Sequence, residues 1–373
     1  MPSNALKTVA SSVTDAIPTP YFESGDHMTR QNSNTARDAS RGLRLTAVIT
    51  NYNHGHYLAA AVEAMVNQSR PADEFILIDD ASTDGSRRVV DGLSKRYPFI
   101  TIIRHATNRG AHASGCEAVE MASGDFFYWG SADDMVLPGF FESSMSLLER
   151  FPTAQICAGI PIHWNESFDQ QYAMCPRMPR DPGFLGPQEV SPLVRQRLLE
   201  MSGASVMYRL ENLKELGGFR KSLKWHVDFF LAHALALGRG LAWTAQPASV
   251  FRMHGSNYSG IRFERPEEEQ QALAELARVL IDEMPTEIQK GFRSSGVLGR
   301  FEFPMARLLL SNHKYSSQLS APFWRVCFAT MKRKVISIVV KTLVPQRFRL
   351  SMPRMDRTKT QFDLSRMKPD RSI

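Results

Sequence analysis

The feature that most restricts the fold is a repeated alternation of short apolar runs with segments of helical period. Residues 45–50 read Leu-Thr-Ala-Val-Ile-Thr, a β-rich run, and 58–68 then carry Leu58, Val62, Met65 and Val66 at helical spacing. The pattern recurs as strand 75–78, helix 86–97, strand 100–103, helix 111–122 and strand 126–129. Regular order of this kind, with continuous apolar strands, calls for a mainly parallel sheet covered by helices on both faces. Such α/β sheets bind ligands at the carboxyl ends of their strands, so the polar residues placed there carry the functional information.

The second half is less regular. A helix is expected over 138–150, a strand over 155–160, and then a proline-rich connection of low regularity over 161–192. A strand over 203–208, a helix over 211–216, a turn at Gly217 and Gly218, a helix over 228–237 and a strand over 242–251 follow. Residues 265–305 are helical and charged. The expected organisation is a flexible leader at 1–42, an α/β domain at 43–262, a helical extension at 263–350 and a flexible basic tail at 351–373. The leader is assigned because its Ser, Thr, Asn, Asp and Arg residues offer too little apolar surface to offset their ordering entropy.

Charge is placed unevenly. The formal net charge is +7, yet residues 322–373 alone hold 13 Lys or Arg against 3 Asp, so the rest of the chain is mildly acidic. Residues 323–350 interleave Phe323, Trp324, Phe328, Ile336, Val339 and Val340 with Lys332, Arg333, Lys334 and Lys341, a pattern expected of a helix lying on an anionic membrane surface. The alternative is an ordinary solvated helical face. Four cysteines stand far apart without a CxxC spacing, which gives neither a disulfide framework nor a zinc cluster and suits a reducing cytosol. No secretory signal and no run of about 18 apolar residues is present, so a cytoplasmic protein, peripheral at most at the inner face of the membrane, is expected.

Five polar clusters fall at or just beyond strand ends. In Thr50-Asn51-Tyr52-Asn53-His54, Asn53 suits a base or ribose contact, or the N-cap of the next helix. Asp79 and Asp80 close the second strand, where paired carboxylates accept hydrogen bonds from a base imide or ribose hydroxyls; Ser82 and Asp84 after them suit helix capping. Arg109, between Asn108 and Gly110 at a helix start, suits a phosphate or a solvated turn. Asp133 and Asp134 end a very apolar strand, where carboxylates beside a diphosphate hold Mg²⁺ or Mn²⁺. Lastly, Asp228 follows Trp225, His226 and Val227 at the start of an apolar helix, as its cap or as a general base, and His254 follows Phe251, Arg252 and Met253, where a neutral imidazole can complete a metal shell.

Taken in order, these residues resemble the family 2 glycosyltransferases of GT-A fold over residues 45–259. The run is Thr50 to Asn53, Asp79 to Asp84, Asn108 to Gly110, Ser123-Gly124-Asp125, Ala132-Asp133-Asp134 with Pro138, Leu216-Gly217-Gly218-Phe219, then Asp228 and His254. The resemblance implies an inverting transfer from a nucleoside-diphosphate sugar to the hydroxyl of a saccharide, lipid-linked or other acceptor, in cell-envelope polysaccharide or glycolipid synthesis. It implies Asn53, Asp79 and Asp80 as nucleoside contacts, Asp133 and His254 as metal or diphosphate ligands, and Asp228 as the base. Ser131 stands where the family's Asp-x-Asp has its first acid, leaving the ion to Asp133 alone or with Asp134. Val227 stands where an acid commonly precedes the base.

Rival classes fit less well. A nicotinamide-dependent oxidoreductase needs GxGxxG after the first strand, and Asn51-Tyr52-Asn53-His54-Gly55-His56 is no such loop. A sugar-1-phosphate nucleotidyltransferase needs an early glycine-rich basic loop, also absent from the sequence. A sugar-nucleotide-binding protein without transferase activity, acting through a membrane- or nucleic-acid-binding tail, leaves the acidic clusters without a purpose. No nucleic-acid partner is expected.

Overall fold

The computed structural model describes residues 42–175, 177–254, 264–343 and 358–359. The expected leader and most of the expected basic tail lie outside the described residues. In chain order the elements are β1 (Leu45–Asn51), α1 (Gly55–Val66), β2 (Glu74–Asp79), α2 (Ser86–Arg96), β3 (Thr101–Arg104), α3 (Ala111–Met121), β4 (Phe126–Ser131), β5 (Met135–Val136), α4 (Phe140–Arg150) and β6 (Ile156–Asn165). There follow β7 (Gln170–Ala173), β8 (Gly183–Leu185), α5 (Pro187–Arg195), β9 (Val206–Arg209), α6 (Leu210–Glu215), α7 (Val227–Arg239) and β10 (Leu241–Met253). Four helices, α8 (Pro266–Arg278), α9 (Thr286–Ser295), α10 (Glu302–Ser311) and α11 (Ala321–Leu343), and the two-residue β11 (Thr358–Lys359) complete the described chain.

The fold is mixed α/β with a mainly parallel centre. β1 pairs in parallel with β2 on one side and β4 on the other, and β3 extends the sheet beyond β2. β9 then runs antiparallel between β4 and β6, while β6 pairs in parallel with β10 and antiparallel with β7. Residues in a strand alternate faces, and β1 is buried on both. Ala47 and Ile49 join Leu58, Val62 and Met65 of α1, Val90 of α2 and Phe141 of α4; Val48 joins Ala118 of α3, Phe230 of α7 and the C-terminal helices. That two-sided burial is the physical reason the early strands read as unbroken apolar runs.

The stretch 161–192 is more ordered than its prolines suggest. β6 runs on through Pro161 to Asn165, turns back as β7, and is followed by β8 and α5. Pro161 is tolerated because its partner β10 changes register between Pro247 and Ser249, opposite it, so the missing N–H falls at an irregular point of the ladder.

The C-terminal helices pack onto the face of the sheet that carries α7. α11 does so with its first half: Phe323 and Cys327 are buried in the same core as Val297, Leu298 and Phe292, and Val326 is buried beside them. This corrects the expected membrane-surface reading for Phe323 and Trp324, since Phe323 is in the core and Trp324 packs against it. Phe328 and Val335 stay exposed at 57% and 58%. Among the described residues no helix is long and apolar enough to cross a membrane.

Close approach of α11 depends on two glycines. Gly296 lies at φ 66°, and a Cβ on Gly299 would meet the Phe323 carbonyl oxygen at 2.3 Å and the Cys327 nitrogen at 2.8 Å. Both contacts are backbone and cannot swing away. Gly299→Ala is therefore expected to destabilise the fold by about 1–3 kcal/mol, read as a lower urea midpoint. Gly92→Ala, on the exposed side of α2 with nothing near its Cβ, is expected to stabilise by about 0.5–1 kcal/mol.

Candidate active site

The carboxyl ends of β1 and β2 are laced together by short polar side chains. Asn51 Nδ2 donates to Asp79 Oδ1 at 2.7 Å and to Ser82 Oγ at 3.0 Å, and Ser82 Oγ donates to the same Asp79 oxygen at 2.6 Å. Asn53 does not cap α1, whose cap position is His54 without a side-chain bond. It sits instead at φ 56°, and its Oδ1 accepts from the backbone N–H of Thr83 at 2.7 Å and of Asp84 at 3.3 Å. Asp84 accepts from the N–H groups of Gly55 and Ser86, the first residues of α1 and α2. These bonds help its carboxyl stay below the ordinary range against a burial effect that would raise it. Asp79 Oδ2, by contrast, has no partner among the described residues.

Asp80 and Arg109 lie one loop further on. Asp80, 3% exposed, accepts from the backbone N–H of Arg109 and of Gly110, each at 2.8 Å, and contacts His105 Nδ1 at 2.6 Å. The carboxylate thus braces the loop that opens α3. The Arg109 side chain is half exposed and bonded to Glu117, which also meets His105 Nε2 at 2.9 Å.

At the end of β4 the chain turns sharply, and its acids meet residues from both ends of the domain. Asp133 Oδ2 lies 3.0 Å from His254 Nε2 and 3.9 Å from His54 Nδ1, while Ser131 Oγ donates to Oδ1. Burial would raise the Asp133 carboxyl, but the His254 hydrogen bond, the charge of His54 and the Ser131 bond together hold it low. Burial keeps His54 below its usual range, toward the neutral imidazole that a metal requires. One ligand atom from each of His54, Asp133 and His254 lies within 4.8 Å of the others, two imidazole nitrogens and a carboxylate oxygen, a donor set and spacing suited to a divalent cation. His54 is the member the sequence reading missed. A single histidine in a polar loop gives no signal until the end of β10 is brought beside the end of β1.

Asp134 points differently. Its Oδ1 accepts from the Arg252 backbone N–H at 3.0 Å, and burial, then the neighbouring Asp133, push its carboxyl well above the usual range. The Arg252 side chain, 2% exposed, donates through Nε to the Asp133 carbonyl at 3.0 Å and through Nη1 to Glu166 at 3.2 Å. Its guanidinium lies 4.1 Å from the ring centre of Tyr57 and 4.5 Å from that of Trp164. The Tyr57 hydroxyl donates to Glu166 at 2.8 Å. None of Tyr57, Trp164 and Glu166 was a candidate from sequence.

The later carboxylate, Asp228, stands in the first turn of α7. Gly203 packs so closely on it that a Cβ there would lie 2.8 Å from Asp228 Oδ2. Its Oδ1 is buried without a hydrogen-bond partner, and burial pushes its carboxyl up to about 6. Asp134 feels the charge of both Asp133 and Asp228. The acids closing β2 and β4 are separated by β1 alone, about 10 Å across two strand spacings. The structure thus brings Asp133, Asp134, Asp228 and His254 into one neighbourhood, with Asp79 and Asn53 beside it and Asp80 and Arg109 tied to each other's loop.

A group whose folded pKa is raised takes up its proton more readily in the folded state, so Asp228 makes the protein lose stability as pH rises from about 4 through about 6. Above that window the penalty is constant. Asp228→Asn is therefore expected to unfold at a higher temperature than wild type at pH 7.5, with the gap closing as pH falls toward 4. A gap independent of pH would show that this carboxylate is not strained by burial.

Comparisons with known proteins follow the same outline. Residues 46–217 match the family described as "Glycosyl transferase family 2". The uncharacterized glycosyltransferase YibD of Escherichia coli (strain K12) is 31% identical over 104 residues, 28% of this chain and 30% of that protein. The matched stretch thus spans about a third of that relative's length. Among solved structures, S. aureus TarS 1-349 in complex with UDP superposes with a TM-score of 0.54 at 14% identity, covering 69% of this chain and 71% of that one. The mannosyltransferase PcManGT from Pyrobaculum calidifontis, in complex with GDP-Man and Mn2+, gives 0.51 at 17% identity, covering 86% of each chain. Asp228 and His254 lie beyond the matched stretch. Residues 46–217, with their glycine turn and strand-end acids, are thus similar to the family 2 glycosyl transferases, and the sheet that carries them has the fold of the superposed structures.

Proposed function

We propose that the protein transfers a sugar from a nucleoside-diphosphate donor to an acceptor hydroxyl, with inversion at the anomeric carbon. The observation that carries this reading is a buried, unpartnered carboxylate, Asp228, close to a two-histidine, one-carboxylate group, with Asp134 in the field of both acids. The superposable structures hold UDP in one case and GDP-Man with Mn2+ in the other, which supports a donor of that class and a divalent cation.

In this reading His54, Asp133 and His254 hold the cation, which supplies the positive charge a departing diphosphate needs. Two imidazoles favour Mn²⁺ over Mg²⁺, a cation that prefers an all-oxygen shell. Asp79, with one oxygen open at the end of β2, accepts from the base or ribose, and Asn53 and Asp80 fix the loops on either side of it. Arg109, exposed on the loop that Asp80 braces, is assigned the phosphate contact. Asp134, anchored on the Arg252 amide, is assigned to the donor sugar.

Asp228 takes the proton from the acceptor hydroxyl as that oxygen bonds to the anomeric carbon and the bond to the diphosphate breaks. Burial suits it to this task. A carboxylate with a pKa near 6 is a stronger base than an ordinary one and is still ionised at neutral pH. Family kinship, rather than any single residue, supports an acceptor from cell-envelope polysaccharide or glycolipid chemistry.

The first test is a thermal-unfolding panel of nucleoside diphosphates with and without Mn²⁺. One of them is expected to raise the midpoint only when the metal is present, because a ligand confined to the folded state stabilises it. No shift with any nucleotide would sink the donor reading. Asp228→Asn is expected to lower turnover by roughly 10²- to 10⁴-fold with donor affinity little changed. The acid limb of wild-type kcat/KM should fall near pH 6, and a fully active Asp228→Asn enzyme would remove this residue from the base role.

A further inference from the structure

A second polar constellation lies away from the strand ends, in the helical layer. A cavity of about 350 Å³ opens between the C-terminal end of α5 and α11, and its lining includes Arg195, Gln196, Arg197, Arg325 and Arg333. No acid is among the lining residues. Among the described residues, Arg195 and Arg325 have no carboxylate partner. Arg197 has one only in part: its Nε lies 3.6 Å from Glu200, whose two oxygens are both already 2.6 Å from Arg300 Nη2.

Four guanidinium groups gathered round one hollow repel each other, and the local structure bears further cost. Arg197 Nε is buried without a hydrogen-bond partner, and its backbone sits at φ 59°, a strain on the order of 1 kcal/mol or more. Burial, and then the nearby Arg300, lower the proton affinity of the Arg197 guanidinium. Planar guanidinium forks recognise phosphate oxygens in pairs, which a single small halide does not exploit.

We propose that this arginine-lined cavity between α5 and α11 binds a phosphate or pyrophosphate group, and that in the transfer reaction this group belongs to the acceptor. The second half of that statement rests on the proposed function; the first does not. The position fits an acceptor. From Arg197 the chain reaches Gly203, which packs on the Asp228 carboxylate, and six residues span at most about 20 Å. The Arg300 guanidinium that shares Glu200 lies 5.9 Å from the ring centre of Phe229, the residue after Asp228. The cavity thus lies a short length of chain from the residue that packs on the candidate base.

The test is a calorimetric titration of inorganic pyrophosphate into the full chain in EDTA, so that no metal-dependent site contributes. Binding is expected in wild type and is expected to weaken by about tenfold or more in Arg195→Gln/Arg325→Gln, through loss of two charge-assisted contacts. Neither arginine holds an ion pair, so the double variant should unfold at or above the wild-type temperature; Arg325→Gln alone serves if it does not. Equal affinity in wild type and variant, or no binding at millimolar pyrophosphate, would overturn the proposal. Flotation with phosphatidylglycerol–phosphatidylcholine vesicles separates the two sources of phosphate. If the double variant loses flotation but keeps its pyrophosphate affinity, the cavity is a bilayer contact and the proposal fails. Because the titration needs no donor, it reads the anion site whether or not the nucleotide panel succeeds.

Discussion

The cleft is organised around one buried cation. Arg252 enters from the end of β10 and bonds the Asp133 carbonyl, the Asp134 carboxylate through its own amide, and Glu166 at the turn between β6 and β7, while its face is covered by Tyr57 and Trp164. Four segments distant in sequence, around residues 57, 133, 164–166 and 252, therefore meet at this one residue. Such a group is costly to bury unless its donors are met and its charge is balanced. Glu166 supplies the balance, and burial, then the bond to Glu166, push the Tyr57 hydroxyl up to about 12. The acid loop after β4 is thereby fixed through the Asp133 carbonyl and one oxygen of Asp134. Its orientation need not be established when a donor arrives.

The sequence motifs divide, on this structure, into those that shape the scaffold and those that face the cleft. Gly217 and Gly218 take positive φ, and the turn they make drives Phe219 fully into the core, 4.1 Å from the ring of Trp129 at the end of β4. Asp125 accepts from the Arg44 amide, and Gly124 lies so close to Thr46 that a Cβ would meet its nitrogen at 2.8 Å. Asp80 belongs with these, since its oxygens hold backbone amides. In the proposed reading Asp79, Arg109, Asp133, Asp134, His54, His254 and Asp228 are left for binding and chemistry, so a motif can be highly recognisable while many of its residues do mechanical work.

The alternation of strands and helices was legible because burial of β1, β2 and β4 on both faces leaves a local record in each run of residues. Other parts had no local record. Nothing within several residues of His54 marks it as a partner of His254, because the two are joined by the pairing of distant strands, not by spacing. The covering of Arg252 left no local record either, since it comes from Tyr57 and Trp164, nearly 200 and 90 residues earlier in the chain. The stretch 161–192 read as irregular because proline disfavours a ladder, and the compensating register change in β10 lies some 85 residues downstream. The grouping of Arg325 and Arg333 of α11 with Arg195 and Arg197 had no local record, because the two pairs sit far apart in the sequence.

The environments of the three cleft acids also explain why the helices beyond the matched stretch belong to the site. Three carboxylates so near each other cannot all stay ionised without cost, and the structure separates them: Asp133 is held low by two histidines, Asp134 and Asp228 are pushed up by burial. For Asp228 burial is the whole cause, and the α7 helix that carries it is held from outside the sheet. α9 packs along α7 through Phe292, 6.2 Å from the ring of Phe230, and α8 reaches the turn just before α7, where Glu269 accepts from Trp225 Nε1 and meets His226 Nε2 at 2.9 Å. Lys224, in the same turn at φ 46°, bonds Glu268. The C-terminal helices thus hold both α7 and the turn that precedes it. The helix that presents the candidate base is therefore held by a part of the chain that carries none of the strand-end acids.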